Sequence, residues 1–143
     1  MSTYKKILVA VDSSDEAVEV LEAAKGLPGI QDAEVSVVHV AQHPQAAYGQ
    51  WVVYLPVSER QLQEQLLEKL GERVAKSGLQ VASTRVEFGR AIDEILNIAK
   101  SDGSDLIVIG SHGRHGIKLI LGSTANGVLH RAECDVLAVR VSE

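Results

Sequence analysis

Five short apolar runs alternate with four stretches of helical periodicity along this chain. The first run, Lys6–Val11 (KILVAV), shows no polar alternation, the pattern of a strand buried on both faces of a parallel sheet. Asp12 closes it. Ser13-Ser14-Asp15-Glu16 then has the form of a capping box, with Ser13 or Ser14 as the N-cap. Ala17, Val20, Leu21 and Ala24 follow at i, i+3, i+4 and i+7, which predicts an amphipathic helix that Gly26 and Pro28 stop. Residues 34–40 (EVSVVHV) give the second strand. Ser58 and Gln61 form another capping box, and the helix behind it turns Leu62, Leu66, Leu67, Leu70 and Val74 inward before ending at Ser77-Gly78. A third strand spans 81–88 and is broken by Gly89. Ile92, Ile95, Leu96 and Ala99 mark a third helix, ended by Gly103. Residues 105–110 (DLIVIG) are the fourth strand. Ser123 and Thr124 open a fourth helix with Ala125, Val128, Leu129 and Ala132 as its apolar stripe, and residues 135–141 (DVLAVRV), from Asp135 to the valine Val141, form the last strand.

A β-α-β-α-β-α-β-α-β order with near-continuous apolar strands predicts a doubly wound parallel α/β sheet. In such sheets ligands sit beyond the carboxyl ends of the strands, where the winding reverses. Two strand ends carry suitable chemistry: Val11-Asp12-Ser13 after the first and Gly110 onward after the fourth. Between the second strand and second helix, residues 41–57 make a connection of roughly 17 residues, longer than usual. From Val35 to Ser58 there is no Asp, Glu, Lys or Arg, while Tyr48, Trp51 and Tyr54 are all there. An irregular flap packed on the domain and a ligand lid or self-association surface fit this equally well.

Composition narrows the class. The 143 residues suit one domain, residues 1–143, with a real core, and 45% hydrophobic against 23% charged residues is ordinary for a globular protein. No apolar run approaches bilayer-spanning length, so no membrane partner is expected, and no secretory start is visible. The net charge of −5 argues against nucleic acid as a partner. One cysteine, Cys134, excludes an internal disulfide and fits a cytoplasmic location. It reads as a small filler, since nothing near it in sequence argues for a lowered pKa.

Against that acidic background, residues 106–132 contain no Asp or Glu while holding Arg114, Lys118 and Arg131. Glycines stand at 110, 113, 116 and 122, and the pair Ser123-Thr124 follows. Buried strand, glycine-rich basic loop and hydroxylated helix start together describe an anion or phosphate site, because glycines admit the ligand to backbone N–H groups and the helix start supplies unpaired donors. No Gly-Lys-Ser/Thr triplet is present, which excludes a Walker loop, and no glycine follows the first strand at Rossmann spacing. A phospho-acceptor receiver domain would need paired acids at Asp12 and an Asp ending a later strand, whereas the fourth strand ends in glycine. Asp12 either helps to cap the first helix or meets a ribose, an adenine edge or a metal ion. His112 and His115 suit phosphate hydrogen bonds or simple exposure better than a metal site, as no carboxylate or cysteine lies nearby in sequence. No catalytic residue is expected, for no Ser/His/Asp order or carboxylate pair stands out.

ILVAVD at the start, GSHGRHG after the fourth strand, LGSTAN at the fourth helix and CDVLAVR at the end resemble the universal stress protein family across essentially the whole chain. The resemblance implies a five-stranded parallel sheet in the order 3-2-1-4-5, helices on both faces, and a switch point between the first and fourth strands. ATP-binding members of that family carry Gly-x2-Gly-x9-Gly-Ser/Thr. By similarity, Gly110 and Gly113 would approach phosphates and ribose, Gly122 and Ser123 would hold phosphate oxygens, and Val11, Asp12 and Val40 would line the adenine end. Ser13, His112, Arg114, Gly116 and Thr124 complete the candidate set, with Arg114 neutralising phosphate charge. Residues 114–121 number eight where the signature has nine. Either Gly116 lets the tighter loop close, or the phosphate pocket is altered. The family also implies a homodimer in which the last strands, from Asp135 to Val141, pair across a two-fold axis, closing an apolar edge of Val136, Leu137, Val139 and Val141. The expectation is therefore a cytoplasmic, dimeric stress-response sensor or regulator that binds an adenine nucleotide, ATP with Mg²⁺, and hydrolyses it slowly if at all. The alternatives are a protein-interaction module of the same family that has lost nucleotide binding, and, more remotely, an ATPase.

Overall fold

The structure, a computed structural model, describes residues 4–42, 58–111 and 121–141. Its elements are β1 (Lys6–Val11), α1 (Ala17–Lys25), a 3-10 turn (Ile30–Asp32), β2 (Glu34–Ala41), α2 (Glu59–Ser77), β3 (Ser83–Phe88), α3 (Ala91–Asp102), β4 (Leu106–Gly110), α4 (Ser123–Arg131) and β5 (Asp135–Val139). All strand pairs are parallel, as the apolar pattern predicted, and the order is β3-β2-β1-β4-β5, as the family resemblance implied. Among the described residues, no helix is long and apolar enough to cross a membrane.

The apolar strands are continuous because both sheet faces are covered. Ile7, Val9 and Val11 of β1 join Val37 and Val108 in a core closed by Val20 and Leu21 of α1 and Leu70 and Val74 of α2. Leu8 and Ala10, pointing the other way, join Val38 and Ile107 beneath Ile95 and Ile98 of α3 and Val128 of α4. Each β1 residue from Ile7 to Val11 thus buries its side chain against one helix layer or the other. At the amino end of the sheet, the Asp105 carboxylate accepts the backbone N–H groups of Lys5 and Lys6 at 2.9 and 3.0 Å, and the Tyr4 hydroxyl donates to Asp135 at 2.8 Å.

The second capping box forms as expected: Ser58 Oγ accepts from the Gln61 N–H at 3.1 Å while Gln61 Oε1 accepts from the Ser58 N–H at 2.9 Å. The first does not. α1 starts at Ala17 with Glu16 in the N-cap position and no side-chain cap. Ser14 turns back to the strand end, where its backbone N–H and its hydroxyl both donate to Asp12 Oδ1. Two apolar positions also depart from the expected stripes. Leu67 and Leu129 are exposed, at 37% and 48%. Each follows a core-facing residue, Leu66 or Val128, and one residue further on lies about 100° round the helix. β5 is shorter than the apolar run, ending at Val139, because its ladder partner β4 ends opposite it at Gly110. Val141 nonetheless turns into the core.

Candidate functional site

β1 and β4 are neighbours, yet the chain leaves them for opposite faces of the sheet, so their carboxyl ends stay uncovered between α1 and α4. A cleft of about 600 Å³ opens there. Among its walls are Val11, Asp12, Ser13, Val40, Gly110, Gly122, Ser123 and Thr124, residues drawn from four separate segments of the chain. The other candidates, His112, Gly113, Arg114 and Gly116, lie outside the described residues, as do His115 and the aromatic positions Tyr48, Trp51 and Tyr54.

The α4 wall is built for an acceptor. Gly122 holds an extended conformation (φ −62°, ψ 155°) as the N-cap, and no side chain caps the helix. Its own N–H donates to the Ser111 carbonyl at 2.6 Å and its carbonyl accepts from Asn126 at 2.8 Å, which fixes the approach to the first helical turn. The turn that begins at Ser123 therefore presents backbone donors and the positive end of the helix dipole without an acidic residue in its first turn.

The opposite wall is acidic. The Ser14 bonds hold the Asp12 carboxylate at the end of β1. Glu16 also lines the cleft, and its Oε2 is buried with no hydrogen-bond partner among the described residues. Ser111 Oγ, at the exit of β4, is likewise buried and unpaired. Sequence reasoning passed over Ser111 and gave Glu16 only a capping role.

His39 was overlooked as well. It is 8% exposed, lines the cleft from β2, and places Nδ1 3.0 Å from the Val11 carbonyl oxygen. Its strand also carries Glu34 and Ser36, so a polar side chain in it was no signal by itself. Beside the ring a niche of about 230 Å³ is lined by Asp12, Ser13, His39, Leu66, Lys69, Leu70 and Arg73. The Arg73 guanidinium has a loose 3.8 Å contact with Asp15, whose side chain is fully exposed.

Among the described residues, no three His, Cys, Asp or Glu side chains are grouped so as to hold a metal ion. Cys134 is half-buried and unpaired with another cysteine; burial, then the charges of Asp135 and Asp105, push its thiol above the ordinary value. The arrangement as a whole is a polar-ended small-molecule cleft: carboxylates on the α1 side, backbone donors at the start of α4, and Val11, Val40 and Ile109 as apolar lining.

The model of the universal stress protein family matches residues 3–140. Universal stress protein A homolog 2 of Coxiella burnetii is 43% identical over 148 residues, covering 99% of this chain and 98% of that protein. Among solved structures, a universal stress protein in complex with cAMP aligns with a TM-score of 0.67 at 22% identity, over 96% of this chain and 98% of that one. The Archaeoglobus fulgidus universal stress protein in complex with dAMP aligns at 0.62 and 23%, over 99% and 100%. At those identities the two structures share the fold with this chain. From the match over residues 3–140 and the identity to the Coxiella protein, the chain belongs to the universal stress protein family.

Proposed function

We propose that this protein binds an adenine nucleotide, ATP, in the cleft at the carboxyl ends of β1 and β4, and works in the cytoplasm as a homodimeric sensor or regulator in the stress response. One observation carries the reading: Asp12 and Val40 at one end of a cleft of about 600 Å³ face Gly122, Ser123 and Thr124 at the other. That volume lies within the usual range for small-molecule sites. The base would lie against Val11 and Val40, with Asp12 accepting a hydrogen bond from the ribose or the adenine edge. Phosphate oxygens would take the N–H groups that open α4, joined by Gly110, Gly113 and Gly116 of the glycine loop, His112 and the Arg114 charge. The solved family members named as complexes with cAMP and dAMP support the ligand class.

Mg²⁺ would supply charge neutralisation on the phosphates, bound through them and water rather than by a protein cage, which is its usual habit with nucleotides. Hydrolysis would be slow, because Asp12 and Glu16, the carboxylates that line the cleft, lie at the α1 wall, away from the phosphates. Calorimetric titration of nucleotide-stripped protein tests the proposal: saturable heat with ATP at up to millimolar concentration is expected, and its absence contradicts it.

A second reading, an interaction module without a nucleotide, draws on the apolar side chains left outside, Leu129 and Leu137. Gly113→Val separates the two. It should abolish ATP binding under the first reading and leave partner binding untouched under the second.

A further inference from the structure

Glu16 has no task in the binding scheme above. Its backbone is the N-cap of α1, and its side chain makes no capping hydrogen bond. Glu16 lines the cleft, and its Oε2 is buried without a partner among the described residues. A carboxylate at a helix start is favoured by the dipole, which accounts for an acid at this position. It does not account for the burial of an oxygen that accepts nothing. A buried charged acceptor is costly unless a donor reaches it, and such unmet groups persist at sites that a ligand completes.

We infer that Glu16 is a specificity-determining contact of the cleft: its carboxylate accepts a hydrogen bond from an O–H or N–H donor on the nucleoside part of the ligand, a ribose hydroxyl or the exocyclic amine of the base. The inference rests on the adenine-nucleotide reading of this cleft. Phosphate is the wrong partner at this wall, because Asp12 and Glu16 both carry negative charge there. A divalent cation lacks a cage, since no third His, Cys, Asp or Glu side chain joins them among the described residues. The two carboxylates therefore give the cleft a direction, with the nucleoside toward α1 and the phosphates toward the start of α4.

The test uses Glu16→Gln and Glu16→Ala in the full chain, nucleotide-stripped, titrated with ATP, 2′-deoxy-ATP, 3′-deoxy-ATP and ITP, with the ligand-free thermal midpoint measured alongside. The wild-type protein should bind one of the three analogues about tenfold more weakly than ATP, and that analogue identifies the donor. Glu16→Gln should bind ATP about tenfold more weakly and lose that discrimination, Glu16→Ala more so. The ligand-free midpoint of Glu16→Gln should stay the same or rise, because Oε2 makes no hydrogen bond that the change would break. Wild-type ATP binding combined with unchanged affinity and discrimination in both variants overturns this inference and leaves the nucleotide site standing. A wild-type protein that binds none of the four overturns both.

Discussion

The His39 ring spans from β2 to β1 and sets Nδ1 3.0 Å from the carbonyl oxygen of Val11, the last residue before Asp12. A carbonyl only accepts, so Nδ1 carries the hydrogen, and in the neutral ring Nε2 is left as an acceptor. One side chain thereby fixes the strand end from which the acidic wall of the cleft departs. Replacing it, as in His39→Ala, removes a buried bond and its packing. A loss of about 1–3 kcal/mol in urea unfolding is expected, with weaker ATP binding in the same variant. An unfolding midpoint equal to the wild type would show that the Val11 contact does not hold the strand end.

Gly127 sits where α4 crosses α3. A Cβ there would collide with the Ile92 side chain, its Cδ1 above all. Ile92 can yield to a methyl group but not to a branched side chain, so Gly127→Leu should cost about 1–3 kcal/mol through overpacking, while Gly127→Ala costs less. Because α4 carries Ser123, pushing it from α3 also shifts the donor wall. Thermal unfolding and ATP titration of the two variants should fall in the same order, and a Gly127→Leu protein as stable as wild type would contradict the close helix approach.

How much of this was legible in the sequence follows from what each signal depends on. β1 and β4 announced themselves because strands buried on both faces must be apolar at every position, and Ser58 to Gln61 because a capping box is a local matter of a few hydrogen bonds. The similar string Ser13 to Glu16 misled, since Ser14 donates back to Asp12 instead of accepting from the first turn of α1, and spacing does not reveal which partner a hydroxyl takes. Leu67 and Leu129 show the same limit for periodicity: an apolar residue beside the stripe looks like part of it until the facing layer is known. Of the site, the strand ends and the α4 start could be read from the chain. His39, Glu16 and Ser111 could not, because their roles depend on which strands become neighbours.

Cys134 offers a pH-dependent check. Burial, Asp135 and Asp105 all disfavour its thiolate, so its thiol ionises above the ordinary value. Less thiolate at a given pH means slower alkylation. The rate of reaction with iodoacetamide should therefore climb only at a pH above that of a free cysteine, and should reach the free-cysteine profile on unfolding in urea. Rapid alkylation near neutral pH in the folded protein would contradict the acidic, half-buried setting.

The proposed homodimer is tested on β5, the edge strand beyond β4, where Leu137 is 36% exposed. Leu137→Lys places a charge on that edge, which discourages strand-to-strand association. Sedimentation velocity should show a dimer for the wild-type chain and a monomer for the variant. A wild-type monomer, or a dimer indifferent to the change, would place self-association elsewhere or remove it.

The most direct measurement for the central claim is a crystal structure of the protein grown with saturating ATP and Mg²⁺. The account predicts nucleotide density between Asp12 and Val40 at one end and Gly122 and Ser123 at the other, with the phosphates against the first turn of α4. An empty cleft at saturating ATP, or nucleotide ordered at a different place on the molecule, would contradict it.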